Sequence, residues 1–150
     1  MKANPNLLIA WLWILLGFAS GMVLGLFFHR ENWLGGYASF KRRMYRLAHI
    51  SCFGLGAVNL LFCLTVRAFS LSGPGMHLAS MAFITGAIAM PVCCVVMAHF
   101  PKAQMIFAVP VVSLMLGGSL TLAQLLKEPN ATGAANPPTQ TSNLKPSTPN

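Results

Sequence analysis

The sequence predicts an all-α fold: an integral-membrane four-helix bundle followed by a disordered tail. Three observations carry that prediction. Hydrophobic residues make up 55 % of the 150 positions and charged residues only 8 %, against about 25 % charged in soluble domains. Four apolar runs, residues 7–28, 47–66, 78–98 and 105–126, hold 20 to 22 residues each and contain no Asp, Glu, Lys or Arg. About 20 residues of helix cross a bilayer core, and backbone polar groups in lipid must be satisfied within the segment, so each run is expected to be a spanning helix. With flanking residues included, the helices are expected at about 7–28, 45–67, 77–99 and 104–127. Together they form one domain over residues 1–128.

The first run begins after Lys2 and passes through Ala19-Ser20-Gly21, which superficially suits a secretory signal. Its apolar stretch outlasts the roughly 7–15 residues of a signal core, so a retained helix is expected. Its Gly17, Gly21 and Gly25 form a doubled G-x-x-x-G, a spacing that lets a second helix approach closely. His29 follows at the next interval of four.

Residues 33–46 follow. Trp33, Tyr37, Phe40 and Met44 recur at helical spacing, with Lys41, Arg42, Arg43 and Arg46 beside them. The stretch reads as a surface-lying or bent lead-in to the second span. Its break falls at Gly35-Gly36, and Trp33, Tyr37, Lys41, Arg42, Arg43 and Arg46 meet lipid headgroups. Net charge is +8, but the basic cluster abuts an apolar run and leaves no soluble basic face. Nucleic-acid binding is therefore not expected.

In the second span Tyr45, His49, Cys52, Gly56, Asn59, Cys63 and Val66 share one helical seam. The seam gathers most of the polar and small side chains, so it is expected to face protein, with Asn59 near mid-membrane bonding to a neighbour. A tight turn at Ser72-Gly73-Pro74-Gly75 leads to the third span, and Phe100-Pro101-Lys102 to the fourth. Pro91 and Pro110 are each expected to remove a backbone bond and kink a helix. Ser113, Gly117, Thr121 and Gln124 form a second small and polar stripe. The packing residues are thus Gly17, Gly21, Gly25, Gly56, Asn59, Ser113, Gly117 and Thr121. Residues 129–150 are rich in Pro, Thr and Asn and contain no aromatic residue; such a composition does not bury a core.

Six basic residues flank the first and third loops, and three flank the opposite helix ends. The positive-inside rule then puts those loops in the cytoplasm and both termini outside. The expected location is a cell membrane of the bacterial inner-membrane type.

His29, His49 and His99 fall on the same predicted side. Histidine ligates haem and metals, so a b-type haem held by His49 with His99 or His29, its propionates met by Arg43 or Arg46, is one expectation. Against it, His49 lies about a turn deeper than the other two, and no paired metal-ligand spacing occurs. Cys52, Cys63, Cys93 and Cys94 read as small packing residues. There is no Asp, and Glu31 and Glu128 only flank spans, which argues against paired-carboxylate catalysis or carboxylate-driven transport. The leading expectation is a non-catalytic accessory, assembly or interaction subunit without cofactor, whose partners are the bilayer and other membrane subunits or copies of itself. A haem b or metal-binding redox subunit is the alternative, and a small channel using Asn59 and Gln124 a third.

Overall fold

A computed structural model describes residues 4–127; the expected disordered tail lies outside them. The chain is all-helical, and four helices are long and apolar enough to cross a membrane. They are α1 (Pro5–Leu26), α2 (Phe40–Ala68), α3 (Pro74–His99) and α4 (Ala108–Lys127). They run up, down, up and down. One end of the bundle carries the α1–α2 and α3–α4 connections and most of the cations, and is termed the basic end. The other, the terminal end, carries the start of α1, the α2–α3 turn and the end of α4.

Local chemistry sets the helix ends. Asn4 caps α1, its side chain accepting from the Asn6 amide at 3.1 Å, with Pro5 in the first helical position, where a missing N–H costs nothing. Ser39 caps α2 by accepting from Arg42 N at 3.2 Å. The cap starts α2 five residues before position 45, so 40–46 continues the spanning helix instead of lying on the surface. The break does fall at Gly35-Gly36, both with positive φ (85° and 97°). Trp33 and Tyr37 therefore do not share a helix face with Phe40 and Met44. Before α3, Gly73 at φ 115° takes a conformation that side chains resist, and Pro74 opens the helix.

The two prolines behave differently. Pro110 is the third residue of α4, directly after a 3-10 stretch at Pro101–Phe107, so it sits where 3-10 bonding gives way to α-helix and not in an α-helix interior. Pro91 lies inside α3 and deprives the Ala87 carbonyl of its usual donor. Trp13 of α1 supplies the replacement, donating its indole N–H to Ala87 O at 2.9 Å.

α2 and α3 form the centre. In their apolar windows 44 % and 39 % is buried, against 11 % for both α1 and α4. α1 packs on α2, α2 on α3 and α3 on α4, with little contact between α1 and α3. Each outer helix interlocks with its inner neighbour through glycine. A Cβ built on Gly56 would lie 3.1 Å from Ala10 O and 3.2 Å from Ile14, and one on Gly17 would lie 2.9 Å from the Phe53 ring. On the other side, Gly86 receives Leu114 and Gly117 receives Phe83. In lipid, where apolar surface drives no helix association, such close backbone approach is what holds helices together. A cluster of Phe62, Leu71, Met76, Ala79 and Phe83 closes the α2–α3–α4 side.

Candidate functional site

The packing residues named from sequence divide in two. Gly17, Gly56 and Gly117 are buried at helix contacts, and Gly21 seats the His49 ring. Gly25 is exposed, with nothing within 4 Å of a built Cβ. Ser113 and Thr121 are half-buried on α4, Thr121 returning its hydroxyl to Gly117 O at 2.8 Å.

Asn59 is fully buried and anchors a network that joins three helices. Its Oδ1 accepts from Asn6 Nδ2 at 2.9 Å, and its Nδ2 donates to Leu55 O at 2.9 Å and Phe83 O at 3.5 Å. Asn6 Nδ2 also reaches Ser80 O at 3.5 Å, while Ser80 Oγ donates to Asn6 Oδ1. Since Asn6 sits in the first turn of α1, the network lies nearer the terminal end than the middle of the apolar run of α2 suggests. Nothing in the local sequence around Asn6 marks it for this role, since Asn59 and Ser80 lie 53 and 74 residues away.

At the basic end Arg42 departs from its expected role. It is 2 % exposed and so is withheld from headgroups, unlike Arg43, which is exposed, and Lys41 and Arg46, which are half-buried. Its guanidinium donates to Phe28 O at 2.9 Å and Arg30 O at 3.4 Å, just beyond the C-terminus of α1. The same group lies over the rings of Tyr37, Trp33 and Phe28 at 4.5, 5.7 and 5.8 Å. Cation–π faces and carbonyl oxygens replace its water. Trp33 stacks on Phe27 at 5.3 Å, so one cation folds the first loop back against α1.

Beneath that loop lies a cavity of about 470 Å³ between α1, α2 and α3. Trp33 and Leu34 cover it, and Ser20, Tyr45, His49 and Cys52 are its polar or polarisable lining residues. His49 is held from three sides: Gly21 beneath it, Phe53 edge-on at 5.4 Å, and Ser20 Oγ 3.0 Å from Nδ1. The Ser20 hydroxyl donates to Gly17 O at 3.0 Å. A hydroxyl has one hydrogen; with it on Gly17 O, Ser20 Oγ accepts from Nδ1–H, and the neutral ring then carries a bare lone pair at Nε2. Nε2 has no partner among the described residues, and no buried side-chain nitrogen there is unpartnered. Nε2 thus keeps some accessible surface, on a ring that lines the cavity.

The other histidines do not converge on it. His99 Nε2 lies 3.0 Å from Tyr45 Oη, and Tyr45 is one turn, about 6 Å, from His49 along α2. His29 is exposed; α1 ends at Leu26, so the interval of four that led from Gly25 to His29 no longer describes one helix face. No group of three or more His, Cys, Asp or Glu suited to a metal occurs among the described residues.

The all-helical fold, with four helices long and apolar enough to cross a membrane, is that of a multi-pass membrane protein by length and composition. No protein-family model matches the chain, and neither a curated protein nor a solved structure shows significant similarity to it.

Proposed function

We propose that the protein is a small, non-catalytic multi-pass membrane subunit that works by binding other membrane proteins, or copies of itself. One observation carries this reading. The buried polar side chains Asn6, Arg42, Ser51 and Asn59 are all engaged in internal hydrogen bonds, and no carboxylate lies within a span. An interior so occupied suits a scaffold better than acid–base turnover or cation coupling. In this reading the basic end faces the cytoplasm of a bacterial-type inner membrane, Lys41, Arg43 and Arg46 meet anionic headgroups, and both termini lie outside. Purification in mild detergent at native expression is expected to yield a stoichiometric membrane partner or a homo-oligomer. A lone monomer refutes the reading. A cysteine placed at Ser72 is expected to react with an impermeant maleimide from outside the cell.

A second reading is a b-type haem at His49, favoured by its bare Nε2 beside a cavity. His49 would hold such a group without His99, which is engaged by Tyr45. An absorption spectrum of haem-replete protein decides it: a Soret band lost in His49→Leu supports it, and no band removes it.

A further inference from the structure

We infer that the His49 cavity is the head-group site for a neutral, hydroxyl-bearing ring lipid of the quinol class, which enters sideways from the bilayer between α1 and α3. The inference goes beyond the subunit reading and does not depend on it.

The head group follows from the lining. In the tautomer that donates Nδ1–H to Ser20 and leaves the Ser20 hydroxyl to Gly17 O, His49 offers an acceptor at Nε2 that an O–H of the occupant would meet. No Lys, Arg, Asp or Glu lines the cavity. An ionised head, whether a carboxylate or a phosphate, would lose its water there without meeting a countercharge. The occupant is therefore neutral and carries an O–H. Trp33, Tyr45 and His49 bring three flat rings to the walls, which suits a planar head. The volume falls within the roughly 300–1,000 Å³ of small-molecule sites.

The tail follows from a second groove of about 320 Å³, lined by Trp13, Leu16, Ile88, Pro91, Val92 and Val95. Leu16, Pro91 and Val95 also line the His49 cavity, so the two spaces adjoin. From Ile88 towards the basic end the groove follows α3 for about 12 Å, at 1.5 Å per residue. It occupies the edge where α1 and α3 make little contact. Trp13 spends its N–H on Ala87 O, so the groove presents carbon to its occupant. A hydroxylated ring with an apolar tail meets both halves.

The test uses the full chain in nanodiscs, a decyl-tailed benzoquinol kept reduced under nitrogen, and the matching quinone, which has no O–H. Binding is read by saturable quenching of tryptophan fluorescence, corrected with protein-free nanodiscs. The quinol is expected to saturate and to bind about three- to tenfold more tightly than the quinone, the difference one hydrogen bond makes. His49→Leu is expected to abolish that preference while leaving residual binding through the tail. Val92→Trp, which fills the groove at a residue that does not line the His49 cavity, is expected to weaken both ligands at least about tenfold. Because the quinol-to-quinone ratio is measured on the unaltered chain, a misfolded variant does not remove the test. Linear, unsaturable quenching overturns the inference. So does equal or tighter binding of the quinone, an unchanged preference in His49→Leu, or a co-purifying haem that fills the site.

Discussion

The Asn6–Asn59 pair gives the sharpest energetic prediction. Replacing Asn59 by Leu keeps the branched shape of the side chain, at somewhat greater bulk, but leaves Asn6 Nδ2 with only the 3.5 Å contact to Ser80 O. Replacing Asn6 by Leu strands Asn59 Oδ1, in a residue that is 0 % exposed. Leaving a buried polar atom unpaired costs about 1–3 kcal/mol, whereas removing both partners together is nearly neutral. Each single variant is therefore expected to lose about 1–2 kcal/mol. The double variant Asn6→Leu/Asn59→Leu is expected to lose less than the sum by about 0.6–1.7 kcal/mol, the range of interhelical hydrogen bonds in membranes. Equilibrium unfolding in mixed micelles of detergent and denaturing surfactant measures all four corners of the cycle. Strict additivity would refute the reasoning, because the two amides would then contribute independently.

Other consequences concern the helix contacts and the first loop. Gly56→Ala presses a Cβ to 3.1 Å from the Ala10 carbonyl, a backbone atom that moves only with α1, and is expected to cost about 1–3 kcal/mol in the same unfolding assay. Gly25→Ala, with open space around it, is expected to change stability by less than about 0.5 kcal/mol. Arg42→Lys keeps the charge but loses the fork that spans Phe28 O and Arg30 O and the flat stack on Tyr37. A local loss of about 2 kcal/mol makes chymotryptic cleavage at Trp33 or Tyr37 roughly 20- to 30-fold faster, with global stability nearly unchanged; an unchanged cleavage rate would refute the clamp.

The four spans were legible because lipid imposes a length and forbids charge, and both constraints appear in composition. Gly17, Gly21, Gly56 and Gly117 were legible for a related reason: close helix approach needs small residues at helical intervals. Gly25 shows the limit, since an interval of four does not say that a neighbouring side chain fills the space beside every glycine on the stripe. The lead-in was misread because Ser39, a cap three residues before Arg42, decides more than the aromatic periodicity on either side of it. Arg42 and Arg43 are adjacent and chemically identical, and only the returning loop separates a buried clamp from a surface cation. Trp13, Asn6 and Ser20 went unnoticed because their partners, Ala87, Asn59 and His49, lie 74, 53 and 29 residues away. His49 was found by its seam, but the state of its ring depends on the Ser20 hydroxyl, which belongs to another helix.

That ring state is the most direct point of attack. Nitrogen-15 spectra of histidine-labelled protein in bicelles, at about pH 8 where an ordinary histidine is neutral, distinguish the two ring tautomers, and His49→Gln assigns the signal. A proton on Nδ1 with Nε2 bare is the predicted result, and Ser20→Ala should relax it to a mixture. A proton held on Nε2 in the unaltered protein would contradict the site and the ligand chemistry inferred from it.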